Sequence, residues 1–164
     1  MTAKEYTTCV ALWADDVMRF AMRCCNVRAD CEDAVQEALA GLWQRREEIK
    51  AEKGKSYLMG AAYRQLMMRF RQQDLQRRHA LALQTDNLTM PDERFDLREA
   101  IEKSLQMLPP VQRAILQLRD VEGYSYHEIA LTLNLSDDRV QVYLFRARVN
   151  MRKQLKLMGY DNNR

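Results

Sequence analysis

Apolar residues recur every third or fourth position along most of the chain, which is the spacing of one face of an amphipathic α-helix. The first such stripe consists of Trp13, Val17, Phe20, Ala21 and Cys24. The second follows Asp30, the predicted N-cap, and consists of Val35, Ala38, Leu39, Leu42 and Trp43. The third, predicted from about Ser56 to Arg71, consists of Leu58, Ala62, Leu66 and Phe70. These patterns predict three helices in the first half of the chain.

The periodicity stops at QTDNLTMPDERFD, which is rich in the Asn, Thr, Pro and Asp of connecting segments. It resumes in a fourth stripe, Leu97, Ile101, Leu105 and Leu108. That helix must end at Pro109-Pro110, because the residue before a proline is disfavoured in the α region. Pro110 then suits the first turn of a further helix, which we expect to reach about Arg119. We therefore predict two small helical domains, 1–80 and 98–164, joined by a linker at 81–97.

The segment YSYHEIALTLNLSDDRVQVYLFRARVNMRKQL carries two helix-start signals, at Ser125 and Ser136. SYHE is a capping box, in which Ser125 and Glu128 each accept from the backbone N–H of the other. NLS predicts a tight turn with Asn134 in the left-handed conformation. The predicted buried positions of the two helices are Ile129, Ala130, Leu133, Val140, Leu144, Ala147 and Met151. This is a helix-turn-helix, which inserts its second helix into the DNA major groove or serves only as a structural corner.

The outward side of the second helix is predicted to carry the groups that would meet DNA. These are Arg139, Gln141, Val142, Phe145 and Arg146. Gln141 can pair with an adenine edge, and Val142 can touch a thymine methyl group. Arg146 suits a phosphate or a guanine. Asp137 and Asp138 favour the helix N-terminus through its dipole and are interpreted as capping residues.

Composition and charge fit a helical protein that binds a polyanion. Only 5 Gly and 3 Pro are present, which favours an all-α fold over sandwiches and barrels. Residues 53–80 carry a net charge of +6, although the whole chain carries only +3. Tyr57, Tyr63 and Phe70 are interleaved with these basic residues, and exposed aromatic rings can stack on the bases of a melted strand. Phe70 continues an apolar stripe and is predicted to be buried, so Tyr63 is the better candidate for a base contact.

An acidic face is predicted on the second helix. Asp33, Gln36, Glu37 and Ala40 follow the spacing i, i+3, i+4 and i+7, which places them on one side. The small Ala40 would let a partner helix approach closely. The face is therefore either a solvated surface beside the buried stripe or a docking site for a basic helix.

Two motifs resemble a known family. LPPVQRAILQLRDVEGYSYHEIALTLNLS closely resembles the C-terminal domain of bacterial sigma factors, and DCEDAVQEALAGLWQRRE resembles the helix with which they bind RNA polymerase. In this order, with no other domain, they resemble an extracytoplasmic-function (ECF) sigma factor of the sigma-70 family.

The resemblance implies a role for each candidate residue. Core RNA polymerase would be bound through Asp33, Gln36, Glu37 and Ala40. The promoter −10 element would be contacted by Tyr57, Tyr63, Arg64, Arg69 and Arg71. The −35 element would be contacted by Arg139, Gln141, Val142, Phe145 and Arg146. The resemblance also implies an anti-sigma factor as a partner.

Other classes of function fit the sequence less well. We expect no enzyme and no cofactor, because the chain lacks a Gly-rich phosphate loop. Its two histidines, His79 and His127, lie near the linker and on a capped helix and form no catalytic motif. A zinc site is disfavoured because Cys9, Cys24, Cys25 and Cys31 lack paired metal-ligand spacing, and we expect reduced thiols. No apolar run reaches the roughly 20 residues of a membrane span, so we expect a cytoplasmic protein. The remaining alternatives are a helix-turn-helix regulator that is not a polymerase subunit, and a protein-binding adaptor.

Overall fold

The computed structural model describes residues 1–80 and 96–160, with the side chains of 1–76 and 96–160. These residues form helices and contain no strand, which confirms the predicted all-α class. The helices are α1 (Ala3–Cys24), α2 (Arg28–Gln44), α3 (Gly54–Ala80), α4 (Leu97–Gln106), α5 (Pro110–Leu116), α6 (Tyr126–Leu133) and α7 (Asp137–Leu157). A 3-10 turn, Ala51–Lys53, precedes α3, and a π turn, Gln117–Val121, follows α5.

Helices α1, α2 and α3 pack together as the N-terminal half of the molecule. Their predicted stripes supply most of the core, including Val17, Phe20, Leu42, Leu58 and Leu66, all buried. Helix α1 begins at a capping box formed by Thr2 and Glu5. Hydrophobic burial along these stripes stabilises the bundle, because each fully buried large aliphatic side chain contributes about 1.5–3 kcal/mol.

Three details of this half differ from the prediction. Asp30 is not the N-cap of α2: the helix begins at Arg28 after Val27, and the Asp30 carboxylate accepts from Arg69 Nη1 at 3.1 Å instead. Trp43 is 41% exposed, since its ring packs edge-on against Tyr6 at the outside of the bundle. Helix α3 extends well beyond the predicted end at Arg71, through a run of Gln and Leu that favours helix.

The local signals of the helix-turn-helix are confirmed, whereas α5, predicted to reach about Arg119, ends at Leu116 and is followed by the π turn. Ser125 and Glu128 form the capping box at the start of α6, and Asn134 ends that helix in the left-handed conformation, with φ 55°. Ser136 accepts from the backbone N–H of Arg139 and begins α7. The inward positions of α6 and α7 are buried as predicted, with Met151 partly buried. Gly123, with φ +72°, turns the chain from the π turn into α6.

The two halves pack directly on each other, α3 against α6 and α1 against α5. The backbones approach closely at Gly60 of α3, where a Cβ atom would lie 2.4 Å from the carbonyl oxygen of Thr132 in α6. Only glycine allows the helices to meet at this distance. The predicted linker 81–97 lies outside the described residues except for 96 and 97, and the division into domains stays a prediction.

Candidate polymerase and promoter interface

The acidic face of α2 is exposed. Asp33, Gln36, Glu37 and Ala40 all lie on the solvent side of the helix, opposite the buried Ala34, Val35 and Ala38. Asp33 also interacts with the guanidinium of Arg69, whose Nη1 lies 3.4 Å from Asp33 Oδ2. The face combines two carboxylates, an amide and a small residue, so it can receive a basic helix that approaches closely.

The predicted −10 surface on α3 is only partly exposed. Arg64 and Arg71 face solvent, whereas Tyr57 is half-buried. Arg69 is largely covered and is held by Asp30 and Asp33 of α2. One guanidinium of the predicted surface is therefore already engaged by the neighbouring helix.

Tyr63 corrects the prediction that it is an outward-facing aromatic residue. Its side chain is 8% exposed, and burial raises the pKa of its phenol to about 12. The apolar side of α3 is wider than the stripe in the sequence, because α1 and α2 cover one flank and α6 covers another. Met59 and Tyr63 fall inside this wider band. Phe70, predicted to be buried, is partly buried. In this arrangement Tyr63 cannot stack on a base.

The outward row of α7 lies where the sequence predicts. Arg139, Gln141, Val142, Phe145 and Arg146 are all exposed, and Phe145 reaches 67% exposure. Exposure of the Val and Phe side chains to water is unfavourable in free energy. Their position between two Arg suits a surface that contacts base edges and methyl groups. At the start of the helix, Asp137 Oδ1 lies 3.2 Å from His127 Nδ1, so this carboxylate links α7 to α6.

A cleft of about 580 Å³ separates the start of α3 from α6. The wall from the N-terminal half includes Lys53, Tyr57 and Arg64, and the wall from the C-terminal half includes Glu128 and Thr132. Hydrogen bonds from Ser125, with a smaller effect of the Lys53 charge, hold the pKa of Glu128 below its ordinary value. The helix-turn-helix therefore stands over part of the predicted −10 surface in this arrangement.

An ion cluster joins the halves beside this cleft. Lys55 Nζ lies 3.1 Å from Asp16 Oδ2 in α1 and 2.6 Å from Glu122 Oε2, which precedes α6. The same ammonium group sits 4.5 Å from the ring centroid of Trp13. Ser56 and Tyr124 make a further contact across the halves, with their hydroxyl oxygens 3.4 Å apart. Sequence reasoning missed this cluster, since no local spacing links residues 67 positions apart.

Two other findings concern cysteines and helix length. The four cysteines are buried and unpaired, and the described residues contain no group of three or more potential ligands placed to hold a metal ion. None of the helices in 1–80 and 96–160 is long and apolar enough to cross a bilayer.

Comparison with known proteins places both halves in one family. Residues 9–76 match the family model of Sigma-70 region 2, and residues 98–151 match Sigma-70, region 4. The RNA polymerase sigma-E factor of Streptomyces coelicolor is 30% identical over 162 residues, covering 96% of this chain and 89% of the relative. The chain belongs to the sigma-70 family, as an ECF sigma factor. It binds core RNA polymerase and directs promoter-specific initiation of transcription.

Two further comparisons agree with membership of this family. The ECF RNA polymerase sigma factor SigE of Mycolicibacterium smegmatis is 27% identical to this sigma factor over 149 residues, covering 87% of the chain and 58% of the relative. The fold is similar to that of the sigma factor RpoE from Bartonella quintana, solved in complex with the anti-sigma factor NepR. That likeness has a TM-score of 0.74 at 19% identity and covers 94% of this chain and 99% of the other.

Proposed function

We propose that the two halves of this sigma factor bind different targets, as the sequence predicts. Residues 1–80 bind core polymerase through the acidic face of α2 and the −10 element through the basic surface of α3. Residues 98–164 read the −35 element with the outward row of α7. The protein acts as a binding subunit rather than an enzyme, in the cytoplasm where transcription takes place.

The observation that carries the proposal is the exposed row of α7 on a fully capped helix-turn-helix. Caps at Ser125 and Ser136 begin α6 and α7, and the left-handed Asn134 ends α6 at the turn between them. A recognition helix needs this rigidity, because its side chains must meet base edges in register. Gln141 then supplies base discrimination, while Arg146 supplies a phosphate or guanine contact.

The acidic face supports the polymerase contact by a different argument. Two carboxylates on one exposed helix face repel each other, and this costs stability unless a cation lies nearby. Of the two carboxylates of this face, Arg69 pairs with Asp33 and not with Glu37. Glu37 has no ion-pair partner among the described residues, so its charge remains for a basic partner.

The packed arrangement of the halves must change before promoter binding. Tyr57 and Arg64 share a cleft with α6, so α6 limits the room for a melted strand at these two residues. We propose that core polymerase separates the halves. We also propose that an anti-sigma factor binds this chain, as NepR binds its own sigma factor in the solved complex.

A pull-down of core polymerase tests the acidic face. The double variant Asp33→Arg, Glu37→Arg should retain much less core enzyme than the wild type, because it reverses the charge that attracts a basic helix. The double variant Asp15→Arg, Glu47→Arg is the matched control: it makes the same charge change at exposed positions off this face. Equal retention by both helical variants would contradict the assignment. Run-off transcription with core polymerase on a promoter library tests the function as a whole.

A further inference from the structure

Arg113 of α5 is a buried cation without an acidic partner among the residues that the structure describes. Its side chain is 8% exposed, and its Nε is buried with no hydrogen-bond partner in the part of the chain that the structure describes. Arginine is almost never fully buried unless it is paired, since an uncompensated charge away from water costs several kcal/mol. The position therefore calls for a counter-charge that the described residues do not provide.

The neighbours of Arg113 do not supply that charge. Burial lowers the pKa of its guanidinium, and the groups that favour its charge are the thiols of Cys24 and Cys25. Burial also raises the pKa of Cys24 to about 12, so this thiol is neutral at physiological pH. An arginine guanidinium nevertheless stays protonated inside proteins. A positive charge thus remains at this site.

Arg113 lines a cavity of about 440 Å³ between the two halves. Its walls come from the turn between α1 and α2, the middle of α3 and the start of α5, and include Asn26, Val27, Met67, Phe70, Arg71 and Arg113. The volume lies within the range of small-molecule sites, roughly 300–1,000 Å³. Among the described residues that line the cavity, the acidic one is Asp74, and its side chain is exposed to water.

We propose that this cavity binds a small phosphate-bearing molecule of nucleotide size. The guanidinium groups of Arg113 and Arg71 would hold the phosphate, because their planar donors match its oxygens in paired hydrogen bonds. Met67 and Phe70 would contact the apolar or aromatic body of the ligand. Asn26 offers a further polar group on the same wall.

The position of the cavity gives the ligand a regulatory effect. Arg71 and Phe70 belong to the N-terminal half, whereas Arg113 belongs to the C-terminal half. A ligand that touches both stabilises the packed arrangement relative to one in which the halves separate. Binding therefore opposes the opening that promoter recognition requires. This consequence rests on the proposed function, but the binding itself does not.

Titration calorimetry on the full chain tests the site with two probes, sodium pyrophosphate and ATP, both without magnesium and at matched ionic strength. Saturable binding is expected for the wild type, with ATP tighter because its base and ribose reach the apolar wall. Arg113→Gln should weaken binding at least about tenfold, since a hydrogen bond between charged groups is lost. Arg71→Gln, at an exposed position, should also weaken binding without a risk to folding. Arg98→Gln, at an exposed position of α4 outside the cavity wall, is the control and should bind as the wild type does.

Thermal unfolding separates a binding role from a structural one. Without ligand, Arg113→Gln should melt no lower than the wild type, because a neutral amide is less costly to bury than a charge. ATP should raise the melting temperature of the wild type by more than that of Arg113→Gln at the same ATP concentration. Three results would overturn the proposal: no saturable binding of either probe, equal binding by wild type and Arg113→Gln, or loss of binding in Arg98→Gln alone. Equal affinity for both probes would overturn the nucleotide-sized part of it.

Discussion

Replacing Gly60 by alanine should separate the two halves of the molecule without unfolding either. The new Cβ would lie 2.4 Å from the carbonyl oxygen of Thr132 and 3.4 Å from its carbonyl carbon. A carbon normally approaches a carbonyl oxygen to about 3.3 Å, so α6 must move away by roughly 1 Å. The obstructing atom belongs to the backbone of α6, and no change of rotamer can relieve the clash.

The energetic cost falls on the packed arrangement alone. Overpacking of a close contact costs typically about 1–3 kcal/mol. Alanine is also a better helix former than glycine by about 0.8–1.0 kcal/mol, so α3 itself gains stability. A shift of about 1–3 kcal/mol changes an equilibrium by roughly 5- to 150-fold. The ratio of separated to packed molecules should increase by that factor.

Small-angle scattering measures the change directly. A compact chain of 164 residues has a radius of gyration of about 15 Å, and Gly60→Ala should exceed the wild-type value. Gly41→Ala is the matched control: its Cβ would lie 2.9 Å from the Tyr57 hydroxyl, a side-chain end that can shift within the N-terminal half. Limited proteolysis should cleave Gly60→Ala faster than the control and leave two helical fragments.

The reasoning would be refuted by either of two results. If Gly60→Ala keeps the wild-type radius of gyration and digestion rate, the α3–α6 contact is not what holds the halves together. If its helical circular dichroism is lost, the halves depend on each other for folding and are not separate domains. Cleavage between 81 and 97 in a chain that remains helical would support the predicted linker.

Two further predictions concern the ion cluster and the recognition helix. Glu122→Gln should weaken the packing of the halves by about 1–2 kcal/mol, because it removes the charge opposite Lys55 at 2.6 Å. Burial opposes the charge of Lys55, but its bonds to Glu122 and Asp16 raise its pKa above 10.5. The stability that the charged Lys55 contributes to the folded state is therefore complete below pH 10.5 and is lost as the pH rises through the folded-state pKa. The hydrogen bond from Lys55 lowers the pKa of Asp16 below 3.8, so its contribution is present above pH 3.8 and is lost as the pH falls through its folded-state pKa. Melting temperature against pH checks both limits, and an alkaline limb unchanged in Glu122→Gln would contradict the role of the cluster. In promoter binding by the holoenzyme, Gln141→Ala should relax the preference at one base pair by about 1–3 kcal/mol. Arg146→Ala should lower promoter affinity and flatten its salt dependence, unless Arg146 reads a guanine. Wild-type affinity, base preference and salt slope in both variants would show that α7 does not enter the groove.

Local signals in the sequence determined α6 and the start of α7 in detail. A capping box, a left-handed Asn and a serine cap each depend on residues within four positions of one another, so neighbouring side chains are enough to specify them. The same holds for the outward row of α7, because helical periodicity alone decides which residues share a face. The caps at Ser125 and Ser136 and the left-handed Asn134 therefore agree with prediction to the residue.

Only the tertiary structure decided which faces are covered. Tyr63 was predicted to face outward, but α3 is covered on more than one side, and its buried band is wider than a single stripe. Asp30 has the chemistry of an N-cap, yet a long-range bond to Arg69 and the early start of α2 override the local preference. Periodicity gives the direction of a side chain about its own helix and contains no information about what packs there.

The contacts between the halves lie furthest from any sequence signal. The approach of Gly60 to Thr132, the bridge from Lys55 to Glu122 and the cavity around Arg113 each join residues that lie far apart in the chain. Such contacts form only when two preformed surfaces meet, and their energy comes from shape and charge complementarity across the whole interface. The sequence by itself determined the helices and the residues that α7 presents to a partner, because both are local. The tertiary structure decided which of the predicted promoter contacts are accessible, because accessibility depends on the other half of the molecule.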